Sequence, residues 1–143
     1  MKKGIVFAFA IALMVLFVGC GIQNQLKDTE WGDETYVENL KLFETTGMPA
    51  SYVTGVYYKF NADGTYDTFN KALLSDSQIP GMQDMPVRPG LYPSGTWFCE
   101  GHELHMKVDG SSVGTIYDAS ISGDTLTLED KSGSAYMELY RIK

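Results

Sequence analysis

From Gly95 onward, apolar residues recur at every second position, and Gly-containing turn clusters interrupt them at short, regular intervals. This is the strongest constraint on the fold, because period-two alternation sends successive side chains to opposite faces of a strand and the turn clusters join neighbouring strands into hairpins. Gly95–Cys99 runs through Glu100-Gly101 into His102–Val108, where Leu104, Met106 and Val108 share one face and His105 and Lys107 the other. Ser112–Ile121 turns at Ser122-Gly123-Asp124 into Thr125–Glu129, with Leu126 and Leu128 inward and Thr125 and Thr127 outward. Ser132-Gly133-Ser134 then opens a last strand, Ala135–Ile142, whose Met137 and Leu139 face the core. Upstream, Val56, Tyr58 and Phe60 share a face of Tyr52–Phe60, which passes through Asn61-Ala62-Asp63-Gly64 into Thr65–Asn70 as a hairpin with a short Gly-containing loop. A first strand over Leu26–Trp31 brings the count to about eight. Tyr36–Thr46 fits a short helix as well as a strand, since Val37, Leu40 and Leu42 or Phe43 stand near helical spacing.

Short strands joined mostly by hairpins predict an all-β, up-and-down antiparallel barrel of about eight strands, which removes both exposed edges of the sheet. A two-sheet sandwich needs longer crossings than most of these turns provide, and the spacing is too irregular for a solenoid or a propeller. One segment departs from the meander. Lys71–Tyr92 is too long for a hairpin loop and combines Pro80, Pro86 and Pro89 with Leu73, Leu74, Ile79, Met82, Met85 and Val87. Long loops in compact domains are functional or disordered, and this one carries too much apolar surface for simple disorder. Two readings stay open: a lid over one barrel mouth, with Met82 and Met85 touching a ligand, or a packed loop that plugs the barrel.

The N-terminus bears on location. Lys2 and Lys3 precede an uninterrupted apolar run, Gly4–Val18, and Gly19-Cys20 follows. The run falls short of the roughly 20 apolar residues of a bilayer span and has the length of a signal-peptide core. It predicts a cleaved export signal over residues 1–19, a linker over 20–25 and one domain over 26–143. An uncleaved anchor and an ordinary secretory signal are the competing readings. Without Lys2 and Lys3, 9 of the 11 basic residues remain against 18 acidic ones. That balance disfavours nucleic acid, whose phosphates need clustered Lys and Arg. The junction resembles the bacterial lipoprotein signal, in which a small residue precedes a cysteine that is acylated and becomes the mature N-terminus. The resemblance implies lipidation of Cys20 and an extracytoplasmic, lipid-anchored place in the cell envelope, at the outer membrane or cell surface; Gly21 in place of an acidic residue gives no sign of inner-membrane retention. Several acyl chains on one residue anchor firmly, where one is marginal. Cys99 then has no partner for a disulfide and is expected to be buried as a small apolar side chain.

Four segments in order carry a second resemblance: Leu26-Lys27-Asp28-Thr29-Glu30-Trp31, Tyr58-Lys59-Phe60-Asn61-Ala62-Asp63-Gly64-Thr65-Tyr66, Ser94-Gly95-Thr96-Trp97, and Ile121-Ser122-Gly123-Asp124-Thr125-Leu126-Thr127-Leu128. Together they resemble the bacterial lipocalin-like families, small lipoproteins built as calycin-type barrels. Thr29 stands where lipocalins usually carry a glycine, two residues before the first-strand Trp. The resemblance speaks to fold more directly than to function. It also implies a structural role for Trp31 and Arg141, because in lipocalins an Arg near the end of the last strand packs across the first-strand Trp and closes one end of the barrel. The matching cation–π contact contributes about 0.5–2 kcal/mol.

Reactive groupings are sparse. His102 and His105, beside Cys99 and Glu103, suggest a metal, but residues an odd number apart on a strand point to opposite faces, so the two imidazoles cannot share an ion unless the turn bends sharply. The expectation is a solvated hairpin tip, with no metal and no cofactor. Asp33 and Glu34 read as solvated surface. No serine sits in a nucleophile elbow, no Gly-rich loop precedes a helix and no Cys–His pair has catalytic spacing, so the chain does not read as an enzyme. Two functions follow. One is a binding module for a small apolar or amphipathic ligand, lined by Tyr58, Phe60, Tyr66 and Trp97 together with Met82 and Met85. The other is a filled-core protein that contacts an envelope protein through Tyr and Met residues around the long loop. A cavity of about 300 Å³ or more separates them.

Overall fold

Each strand pairs with its neighbours in sequence, and the last pairs with the first. A computed structural model describes residues 21–47, 53–75 and 93–143. Its strands are β1 (Thr29–Gly32), β2 (Tyr57–Phe60), β3 (Thr65–Asp67), β4 (Gly95–Glu100), β5 (Glu103–Val108), β6 (Thr115–Ser122), β7 (Thr125–Asp130) and β8 (Tyr136–Arg141). They form a closed, antiparallel, up-and-down barrel, sealed where Trp31 pairs with Arg141 and Gly32 with Tyr140. The all-β, eight-stranded barrel read from the alternation is the fold. Tight turns set the register: between Ser122 and Thr125 the chain reverses in two residues, and Gly123 takes a φ of 59°, a left-handed conformation that costs glycine little.

Several boundaries move. Leu26, expected in the first strand, instead ends helix α1 (Gly21–Leu26), and the chain reaches β1 only after Asp28 adopts a φ of 57°. Residues 21–25, expected as a linker, are therefore helical. α1 touches β4 and β6, which lie across the barrel from β1, so it crosses one end, the base. Leu26 is fully buried there and Ile22 packs beside it. Of the expected strand Tyr52–Phe60, whose first residue lies outside the described residues, only Tyr57–Phe60 is strand among the described ones, because its partner β1 has only four residues, from Thr29 opposite Phe60 to Gly32 opposite Tyr57. Thr65–Asn70 likewise shortens to Thr65–Asp67, since β3 meets β4 only at Thr65 and Tyr66. The signal segment, Cys20, Met82 and Met85 lie outside the described residues, as does most of Lys71–Tyr92; its described start contains the short helix α3 (Ala72–Ser75).

Tyr36–Thr46 is helical, within α2 (Glu34–Thr46). Asp33 caps it, its side chain accepting a hydrogen bond from the Tyr36 amide at 2.8 Å, and Gly47 ends it at a φ of 66° with its amide bonded to the Phe43 carbonyl. Asp33 is thus a helix cap as well as a half-exposed acid. Tyr36, Leu40 and Phe43 fall on one face at helical spacing and cover the outside of the barrel at Tyr57, Leu73 and Ile142.

Inside, Trp31, Leu26, Phe60, Leu104, Leu126, Leu128 and Leu139 have no exposed surface. Each large apolar side chain buried this way contributes about 1.5–3 kcal/mol. Among the described residues no helix is long and apolar enough to cross a membrane.

Candidate binding site

The odd-numbered strands all begin at the base and finish at the opposite end, the rim. Strand alternation therefore divides the interior into two levels. Near the base, Leu26, Phe60, Cys99, Leu104, Leu126 and Leu139 close-pack. Toward the rim the inward side chains are Val56, Tyr58, Tyr66, Met106, Tyr117 and Met137, and of these Val56, Tyr58, Tyr117 and Met137 are only half-buried.

The base is held by a short polar chain. Trp31 Nε1 donates to Thr29 Oγ1 at 2.7 Å, and Thr29 Oγ1 donates to the Leu26 carbonyl at 2.5 Å, which ties the first-strand Trp to the end of α1. The Arg141 guanidinium lies over the Trp31 ring, 4.4 Å from its centroid, and Arg141 Nε faces Asp124 Oδ1 at 3.4 Å. Thr29, the departure from the lipocalin pattern, thus occupies the indole donor.

The four aromatic residues named as lining form one string. Tyr66 meets Tyr58 edge-on at 6.0 Å, Tyr58 stacks near Phe60 at 5.9 Å, and Phe60 meets Trp97 edge-on at 5.3 Å. They do not share one environment: Phe60 and Trp97 are buried in the packed interior, whereas Tyr58 reaches the half-buried level. Trp97 Nε1 donates to the Asn61 carbonyl at 3.1 Å, which spends its polar handle on the fold. Tyr117 belongs with Tyr58 and Tyr66 and was not singled out from sequence. The signal was its parity, two residues before buried Ala119 and four before Ile121 on β6.

Burial, reinforced by the neighbouring Tyr117 and Tyr66 phenols, pushes the Tyr58 hydroxyl up to about 12. Tyr66 is raised by burial and by Asp109, and Tyr117 by burial and by Asp130. All three phenols stay neutral at physiological pH and offer both a donor and an acceptor against an apolar wall. Cys99 is a buried free thiol, pushed up to about 11 by burial, which keeps it protonated at physiological pH.

His102 and His105 meet different carboxylates, which stand opposite each other in the β5–β6 register. His102 faces Asp118 at 3.6 Å and His105 faces Glu103 at 3.5 Å, both outside the barrel. On the same outer wall Thr96, Phe98, His105 and Ile116 help line a groove of about 310 Å³. Compared with protein-family models, curated proteins and solved structures, the chain matches none.

Proposed function

We propose that the protein is a membrane-tethered extracytoplasmic lipoprotein whose lipocalin-like barrel binds a small apolar or amphipathic molecule at the rim end of its interior. The observation that carries this reading is the inequality of the two ends. The base is sealed by α1, Leu26 and the Trp31–Arg141 stack, while Tyr58, Tyr117 and Met137 at the rim remain half-buried around Tyr66. Neutral phenols beside thioethers suit a ligand with an apolar body and a polar edge. Cys20 directly precedes α1 in sequence, so a lipid there would turn the base toward the membrane and the rim away from it.

A second reading, a filled-core protein acting through contacts with another envelope protein, draws on the close packing of Phe60 and Trp97 and on the exposed Phe98 and Ile116 of the outer wall. Native mass spectrometry of the full chain, released from detergent before and after denaturing extraction, tests both parts. The proposal expects a covalent lipid mass on Cys20 that survives extraction and a further mass that does not. An unmodified cysteine would remove the tether. A clean apo mass after incubation with envelope lipid extract would remove the ligand and leave the contact protein.

A further inference from the structure

The outer face of the β4–β5 hairpin brings two carboxylates and an imidazole to one point. Register sets Glu100 opposite Glu103 and Phe98 opposite His105, so these side chains form two adjacent cross-strand pairs on one face. Like charges directly opposite each other are unfavourable. Here both carboxylates approach the same imidazole nitrogen: His105 Nε2 lies 3.5 Å from Glu103 Oε2 and 3.7 Å from Glu100 Oε2. One ligand atom from each of the three residues falls within 4.8 Å of the others. The nitrogen itself is buried and has no hydrogen-bond partner. Its pose is fixed by Phe98, whose ring stacks on the imidazole with centroids 4.4 Å apart and planes 13° from parallel.

These separations exceed the roughly 2.7–2.9 Å of a charge-assisted hydrogen bond. They suit a different geometry: around a tetrahedral ion with bonds of about 2.0–2.2 Å, ligand atoms stand about 3.3–3.6 Å apart. We infer that Glu100, Glu103 and His105 form a binding site for a divalent first-row transition-metal ion, with zinc the best match. Two carboxylates balance the ion's charge, the imidazole supplies the nitrogen donor zinc favours, and water takes the fourth position. Lys131 does not occupy the same oxygen. Its ammonium pairs with Glu103 Oε1, which leaves Oε2 turned toward His105 and makes Lys131 a positioning residue. His102 is not one of the three ligands: its Nε2 lies 3.6 Å from Asp118, the residue opposite Glu103 on β6. The strands hold all three ligands without help from a loop, so little ordering accompanies binding.

Equilibrium dialysis of the purified full chain against zinc, with bound metal counted by elemental analysis, reads affinity and stoichiometry; nitrogen NMR of the imidazoles reads the site. The expected result is one zinc per chain at micromolar free metal, with the His105 Nε2 resonance shifted and His102 unmoved. Glu100→Gln alters a side chain that is 70% exposed, so the barrel is retained, and it weakens binding about tenfold or more. His102→Gln binds as the unaltered chain does. Substoichiometric zinc, equal affinity in Glu100→Gln, or a shift confined to His102 would overturn the assignment.

Discussion

The contact between Trp31 and Arg141 lends itself to a quantitative test. Trp31 is fully buried, and the Arg141 side chain above it is 28% exposed, so the cation is largely but not wholly desolvated. Cation–π pairs contribute about 0.5–1 kcal/mol at exposed sites and about 2 kcal/mol when desolvated, which places this one near 1 kcal/mol. The perturbation is a double-mutant cycle of Trp31→Leu and Arg141→Met. Methionine keeps much of the arginine stem and its packing while removing the charge. Each single variant costs more than the contact: Trp31→Leu also empties core volume and frees Thr29 Oγ1, and Arg141→Met also loses Asp124. Those costs recur in both arms of the cycle and cancel. Asp124 is 85% exposed, so its ion pair contributes about 0–1 kcal/mol at most. Urea titrations of the four proteins should give a coupling of about 1 kcal/mol, which corresponds to a melting shift of about 4 °C for a domain of this size. Additivity within about 0.3 kcal/mol would refute a closing role for the stack.

Gly95→Ala should destabilise the barrel by about 1–3 kcal/mol through overpacking. A Cβ there would lie 2.1 Å from the Lys107 carbonyl oxygen and 2.7 Å from a Tyr66 ring carbon, so backbone must move; a urea midpoint within error of the unaltered chain would contradict this close approach. Stability should also hold up to about pH 9, begin to decline there because the buried Cys99 thiol is pushed up from 9.0 to about 11, and fall further between about pH 10 and 12. Tyr58 and Tyr36 are both pushed up to about 12, chiefly by burial, from an unfolded value of 10.0, so in that window the unfolded chain binds fewer protons than the folded one and is favoured as pH rises. Tyr58→Phe should flatten the decline in urea-derived stability, and an unchanged slope would show that this phenol is not protected.

The strands that the alternation revealed most clearly, β4 to β8, are those whose six to eight residues allow several inward positions each. β1, β2 and β3 have three or four residues, too few for a period to register. Leu26 misled for a related reason. It is apolar and close to Trp31, so it reads as an extension of the strand, yet the left-handed Asp28 separates them and sends Leu26 into the base from a helix. The covering layer was half legible: Leu40 and Phe43 carry helical spacing, but their partner Tyr57 sits on a strand whose inward face belongs to Tyr58 and Phe60. Parity set His102 and His105 on opposite faces, but His102 belongs to the turn and both meet outer-face carboxylates, and parity concealed what His105 meets. Glu103 is two residues away on the same face, and Glu100 returns to that face because the Gly101-His102 turn resets the alternation. The aromatic lining was visible residue by residue, whereas its division into a packed base and a half-buried rim depends on α1, which sequence placed in a linker.

One hairpin therefore serves two surfaces. On β4 and β5 the inward residues Trp97, Cys99, Leu104 and Met106 belong to the core, and the outward residues Phe98, Glu100, Glu103 and His105 to the outer wall. The two sets alternate along the same backbone, yet their side chains never meet, because a strand separates its faces by its own pleat. An outward substitution such as Glu100→Gln leaves the close packing that sustains the barrel intact. An inward one acts on stability before it acts on any ligand. Loss of zinc with the rim unaffected, or loss of a rim ligand with zinc retained, is then a physically sensible pair of outcomes, since coupling between them would need a packed chain of side chains through the wall. The pleat makes the two surfaces separable by mutation, and evolution could alter either without dismantling the other.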